Sequence, residues 1–238
     1  MSLLTIVQDV CGEIGIPIPT SVVGNNSELV QQLFRLAKRE GQELSTGASV
    51  ALSYDWQVLQ SEATWTSTAT ESQGALSTLA PGFEYIINDT VFDRTQQWQL
   101  PGPLSQQVWQ WRKATTASGP YPEWRIQGGT LYMYPVPTAG HTMVFEYQSS
   151  YWCQDNAGTP KATWTVDTDT SRIDEELVKL GLIWRFRKAK GLDYAEDFRS
   201  YQISVTHAIA RDGGKPRLSM DNAARAQRIS VPEGNWTP

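Results

Sequence analysis

Asp167, Asp169 and Asp174 fall within the stretch VDTDTSRIDEELV, the part of this chain that comes nearest to a hard-cation loop. An EF-hand loop would need glycine at the position of Arg172 to turn the chain and glutamate at that of Val178 to close the coordination sphere. Both are missing, and the carboxylates suit a helix start, where they oppose the positive end of the helix dipole. Thiol and imidazole chemistry is thinly supplied. There are two cysteines, Cys11 and Cys153, in no CxxC pair, and two histidines, His141 and His207. A structural zinc site needs four ligands at recognisable spacing, and the thiols read as buried and free. His141, in TAGHTM, is expected exposed in a hairpin turn, and His207 near the end of the last helix; nothing local supports a dyad using Cys153. No GxSxG elbow occurs, no GxGxxG follows a strand, and Gly214-Lys215 is followed by Pro216 without the upstream glycine of a P-loop. The expectation is a non-enzyme with no cofactor and no metal.

A second candidate is electrostatic. In GLIWRFRKAKGLDYAEDF, Arg185, Arg187, Lys188 and Lys190 crowd together before Asp193, Glu196 and Asp197 reverse the sign. The cations could track a phosphate backbone. They also occupy the last turns of one helix, and the carboxylates the first turn of the next, as the dipoles of two helix ends favour. That local account makes the cluster a solvated helix end; a DNA-binding adaptor is the alternative.

The elements that would position these residues fall into three blocks. Residues 1–48 read as two helices. Ser2 caps the first, Leu3, Ile6, Val7, Val10 and Ile14 line its inner face, and Gly15 ends it. Asn26 or Ser27 caps the second, whose inner face carries Leu29, Val30, Leu33, Leu36 and Ala37. Residues 49–169 turn to Thr, Ser, Trp, Tyr, Pro and Gly and read as an inserted all-β module with long loops. There Gly128-Gly129 makes a tight hairpin turn, TMVFEYQSSYW alternates as a half-buried strand, and WQVLQ and EATWTST are weaker strands. Residues 170–212 return to helix. Ser171-x-x-Asp174 resembles a capping box, Ile173, Leu177, Leu180 and Trp184 form one face, and Gly191 separates this helix from a last one carrying Tyr194, Phe198, Tyr201, Val205 and Ala208 inward. The fold class is α+β.

The 238 residues carry 40% hydrophobic and 19% charged side chains with ten tryptophans, a folded composition, and a net charge of −5. That balance disfavours a general nucleic-acid binder. The start, MSLLTIVQDVCGEIG, lacks a basic leader, and no apolar run approaches a membrane span, so a cytoplasmic origin is expected. Residues 213–238 differ again: Lys215, Arg217, Arg225 and Arg228 oppose only Asp221 and Glu233, a net +2. Leu218, Met220, Ile229, Val231 and Trp236 are apolar beyond the needs of a frayed terminus, which suggests an extended arm that orders on a partner. Lys215, Arg217, Arg225, Arg228, Ile229 and Trp236 are its candidate docking residues. The aromatic β-module leaves a second class open, a carbohydrate-binding tail module using residues such as Trp124.

Three stretches resemble a known family. Residues 86–114, with Gly102-Pro103-Leu104 and Trp109, resemble the central region of head-to-tail adaptor (connector) proteins of tailed bacteriophages. Residues 177–202 are similar to their C-terminal helical pair, through Trp184, Arg185, Lys188, Gly191, Tyr194 and Ala195, and SLLTIVQDVCGEIGIP is similar to their first helix. The resemblance spans the chain to about residue 212. It implies a helical bundle with an inserted β-module, assembled as a ring of twelve subunits. It further implies a place at the head–tail junction of the virion, joining the portal protein to a tail or nozzle protein. Genome DNA would pass through the lumen without specific binding, and terminal arms would reach along the portal. No membrane partner is implied. An acidic chain fits a conduit that must not hold DNA.

Overall fold

The computed structural model describes residues 1–46, 54–115, 119 and 121–213. The chain opens with helices α1 (Leu3–Ile14) and α2 (Glu28–Ser45). One turn of 3-10 helix, Gln57–Leu59, leads into β1 (Gln60–Thr66), β2 (Ser72–Ala75), the single-turn α3 (Leu76–Leu79) and β3 (Phe83–Ile86). Then come β4 (Phe92–Asp93), β5 (Trp98–Gln99), α4 (Gln106–Ala114), β6 (Glu123–Gln127), β7 (Thr130–Tyr134) and β8 (Thr142–Ser149). Three short strands, β9 (Cys153–Gln154), β10 (Pro160–Lys161) and β11 (Thr170–Ser171), precede α5 (Glu175–Ala189) and α6 (Ala195–Arg211).

The helix ends follow their local chemistry. Ser2 Oγ accepts from Thr5 N–H at 3.3 Å, and Gly15 closes α1 in the left-handed region at φ 77°. Gly191, at φ 70°, closes α5: its N–H reaches Lys188 O and that of Leu192 reaches Arg187 O, the paired bonds of a Schellman end. Ser27 stands at the start of α2 with its own N–H held by Asn25 Oδ1 at 2.9 Å. The α5 start departs from expectation. Asp174, not Ser171, is the cap, accepting from Glu176 N–H at 3.0 Å, while Ser171 lies in β11.

Two hydrophobic clusters divide the described residues. One gathers α1, α2, α5, α6 and the chain around Trp56, Trp152 and Trp164. Helix α5 is its centre: Leu177, Val178, Gly181, Leu182, Ile183, Trp184, Arg185 and Phe186 are all buried, so it is covered all round and has no single inner face. Such a helix needs neighbours on every side, and α1, α2 and α6 supply them.

The second cluster belongs to the inserted segment. In one sheet β8 pairs antiparallel with β1 along one edge and with β3 and β4 along the other, and β5 follows β4. A second sheet has the order β2–β7–β6. Its β6–β7 hairpin turns on Gly128 and Gly129, both at positive φ (56° and 72°), as the sequence requires. Met143, Phe145 and Tyr147 of β8 point into this core, but Val144 and Gln148 are buried too, so β8 is covered on both faces. The insert is not purely β: it carries α3 and α4, and most of WQVLQ is the 3-10 turn rather than a strand.

Two glycines let the bundle close. A Cβ on Gly41 of α2 would overlap the Trp152 ring, and one on Gly181 of α5 would overlap the Glu40 carboxylate. Gly181→Ala should therefore lower stability by about 1–3 kcal/mol through overpacking. Gly12→Ala, on an exposed turn of α1 with nothing near the new methyl, should raise it by roughly 0.4–1 kcal/mol. Urea unfolding of the two variants reads both signs.

Candidate functional site

The most ionic part of the described chain is inside it. Glu40 on α2 is fully buried, and its carboxylate accepts from Arg185 Nε of α5 and from the Tyr201 hydroxyl of α6, the latter at 2.6 Å. Arg185 also donates to Glu43 at 2.6 Å, and Glu43 accepts from Arg39 at 2.6 Å. The cluster thus joins three helices. Burial raises the Glu40 carboxyl above its usual range against the pull of Arg185 and Tyr201. Glu43 is less buried, and Arg39 and Arg185 outweigh its desolvation and hold it low. Glu40 and Arg185 are buried and turned toward each other, while Arg39 and Glu43 reach the surface, so the arrangement serves to fix helix packing.

This corrects the reading of residues 185–190 as a solvated helix end, and it equally removes Arg185 from any phosphate-binding patch. Arg185 is buried with its guanidinium 4.4 Å from the Trp184 ring centroid. Arg187 pairs with Asp197 at 2.7 Å, and Lys188 lies 5.7 Å from the ring centroids of both Trp184 and Tyr194. The helix-end account holds only for the later cations.

The carboxylates of VDTDTSRIDEELV also separate in space. Asp167 accepts from the N–H groups of Val22 and Val23, pinning the α1–α2 connection. Asp169 is buried and accepts from Lys161 Nζ at 2.8 Å and from the N–H groups of Thr165 and Val166. Only Asp174 caps a helix. Burial alone would raise Asp169, but Lys161 and the two N–H groups outweigh it and hold its carboxyl low. Among the described residues, no three or more His, Cys, Asp or Glu side chains converge as metal ligands.

His141 is not in open solvent. Its Nδ1 lies 2.7 Å from Asp93 Oδ2, and Asp93 Oδ1 accepts from the N–H groups of Thr95 and Gln96, so the pair ties the β4–β5 turn to the start of β8. His207 lies exposed on α6. Cys11 and Cys153 are both buried and free, with burial pushing the Cys153 thiol up to about 12. Trp124 is 2% exposed and donates its Nε1–H to Leu100 O at 3.2 Å. It is a core residue, too buried to stack on a sugar ring. Lys215, Arg217, Arg225, Arg228, Ile229 and Trp236 lie outside the described residues.

Surfaces fit for protein contact are the features that sequence periodicity left unnoticed. Helix α4 is capped by Ser105, which accepts from Val108 N–H, and buries Trp109 edge-on to Tyr134. Arg112 pairs with Glu123 at 2.7 Å and Lys113 with Glu71 at 2.8 Å, fixing α4 across the β2–β7–β6 sheet. The helix thereby presents Val108 and Trp111 outward, Trp111 57% exposed. The Gly102-Pro103-Leu104 element leads into it: a Cβ at Gly102 would meet the Trp124 ring at 2.7 Å, and Leu104 N–H reaches Trp124 O. On the bundle, Leu192 and Ile203 are exposed around α6. A large apolar side chain held out by a rigid element is the kind of residue that anchors an interface. Among the described residues, no helix is long and apolar enough to cross a membrane.

A family model described as SU10 adaptor protein matches residues 1–232. No curated protein matches the chain.

Removing one partner of the buried ion pair should cost more than removing both. Arg185→Ala, leaving Glu40 buried beside an empty site, should destabilise by about 3–5 kcal/mol, and Glu40→Leu combined with Arg185→Met should restore much of that. A double-mutant cycle in guanidinium checks it. Asp169, held low in the folded state, stabilises above its unfolded pKa of about 3.9, and this is lost as pH falls through the folded value. Asp169→Asn should flatten that acid limb of a stability–pH curve.

Proposed function

Because the chain belongs to the SU10 adaptor protein family, we propose that it is a structural bacteriophage protein that forms a ring at the head–tail junction of the virion. In this reading the ring, of twelve subunits, joins the portal protein to a tail or nozzle protein and lets genome DNA pass through its lumen without specific binding. The family match across nearly the whole chain carries the proposal. The net charge of −5 supports a conduit wall that does not retain DNA.

The bundle built from 1–48 and 170–212 would carry ring and portal contacts. The insert, 49–169, would face neighbouring subunits or the tail, with Val108 and Trp111 of α4 as anchors. Segment 213–238 would dock on the portal through Lys215, Arg217, Arg225, Arg228, Ile229 and Trp236. An outward-facing tryptophan on a helix fixed by two ion pairs suits a large subunit interface, where such residues are enriched.

Mass determination and negative-stain imaging, with and without a purified portal ring, test the proposal. A ring seated on the portal is the expected outcome, and a monomer indifferent to the portal would overturn it. Val108→Ser combined with Trp111→Ser should weaken ring assembly at least tenfold, the effect of losing ~1.4 kcal/mol or more per interface. The melting temperature should change little, because both side chains are exposed.

A further inference from the structure

A groove lies between the two sheets of the insert, lined by Phe83, Glu84, Tyr85, Ile86, Ile87 and Asn88 on one side and by Pro103, Trp124 and Ile126 on the other, with Asp55 and Gln60 at the bundle side. Six consecutive residues, 83–88, line it, so it follows an edge of β3 rather than one face of a sheet, since successive side chains point to opposite faces. Among the described residues β3 pairs only with β8, and β6 only with β7. Edge strands with apolar surroundings accept an added strand.

The charge of the groove is one-sided. Asp55 and Glu84 line it, and among the described residues neither has a cationic partner. Burial raises the Glu84 carboxyl, and the charge of Asp55 raises it further, so the two carboxylates lie close enough to repel. The Tyr85 hydroxyl is likewise pushed up, first by burial and then by the Asp55 carboxylate.

The last described residues end against residues 54–57, the stretch that contributes Asp55 to this groove. Asp212 at the end of α6 accepts from Gln57 N–H at 2.8 Å and from the Tyr54 hydroxyl at 3.1 Å. Gly213 lies so near that an added Cβ would stand 2.9 Å from Gln57 Cγ. Asp55 and Gln60, which line the groove, flank that contact in sequence. The 25 residues that follow, 214–238, pair apolar positions two apart, Leu218 with Met220 and Ile229 with Val231, and carry Lys215, Arg217, Arg225 and Arg228. A spacing of two puts each pair on one face of an extended strand. At roughly 3.3 Å per extended residue, the segment can reach the length of the groove many times over.

We propose that this groove is the resting site of the chain's own segment 214–238, laid as an extended strand along β3 with its apolar pairs against Phe83, Ile87 and Ile126 and its basic side chains at Asp55 and Glu84. The seat would shield the open edge of β3 and hold the basic arm on its own subunit before assembly offers it another surface. The inference rests on the groove, its charge and the position of Gly213, and it stands whether or not the ring and portal reading does.

Disulfide trapping in the full chain tests it. Gln60→Cys or Asn88→Cys is combined in turn with Ser219→Cys or Ser230→Cys, and the buried thiols of Cys11 and Cys153 contribute no background. The expected result under mild oxidation at low salt is an intramolecular disulfide from at least one pairing. Its yield should fall several-fold at high salt, where the Debye length shrinks to roughly 3 Å at 1 M, and in the Asp55→Asn, Glu84→Gln background. Hydrogen exchange at residues 83–88 should rise in that background while β1 and the centre of β8 stay protected, which separates arm release from unfolding. Disulfides formed only between chains, no disulfide from any pairing, or yields indifferent to the two neutralising substitutions would each overturn the proposal.

Discussion

A single buried carboxylate sets the geometry of the helical bundle. Glu40 has no access to water, and a charge in that position is tolerable only if its partners are fixed and close. Arg185 and Tyr201 meet that need from two other helices, so α2, α5 and α6 can pack in one relative register. The constraint spreads outward. Gly181 must lack a side chain because the Glu40 carboxylate occupies its space, and Gly41, next to Glu40, must lack one because Trp152 packs there. Trp152 stands edge-on to Trp164 at 4.7 Å, which links the helices to the short strands that lead into α5. Arg185, one turn beyond Gly181, completes the pattern and carries its remaining charge to Glu43 at the cluster's wetter rim.

The insert hangs from this bundle through polar links as well as through the chain. Arg172 donates to Tyr151 O and to Val58 O, Trp56 donates to Leu44 O, and Gln148 donates to Trp56 O. Residues 54–59 therefore meet the bundle, the end of α6 and the start of β1 in one place. The end of α6 meets the same stretch, where Asp212 accepts from Gln57 N–H and from the Tyr54 hydroxyl.

Several residues with chemical potential turn out to serve as internal fasteners. Asp167 and Asp169 hold backbone N–H groups of two different connections, and the Asp93–His141 pair holds a turn against a strand. Each satisfies polar groups that would otherwise be stranded in a loop, where an unmade hydrogen bond is costly. Carboxylates gathered in sequence are thus dispersed in space, and the side chains facing outward include the apolar Val108, Trp111, Leu192 and Ile203.

The sequence by itself determined what depends on neighbours a few residues away. The Ser2 cap and Gly15 stop of α1, the Gly128-Gly129 turn and the Gly191 break between α5 and α6 follow from local dihedral and capping chemistry, and all are present. The family was legible too, from Trp184 to Ala195 and from Gly102 to Trp109. What the sequence misplaced was decided at long range. Arg185 looks like one of four surface cations until Glu40, 145 positions away, removes it from solvent. Ser171 fits a capping box but pairs in a strand, and Trp124 fits an exposed aromatic row but fills the space that Gly102 leaves open. Helix α4 escaped notice because its short run of polar and aromatic residues has weak periodicity; it is held by Glu71 and Glu123 from other parts of the chain. Caps and turns are local energies of the backbone, whereas burial of a charge or a tryptophan is a property of the partner that tertiary structure brings to it.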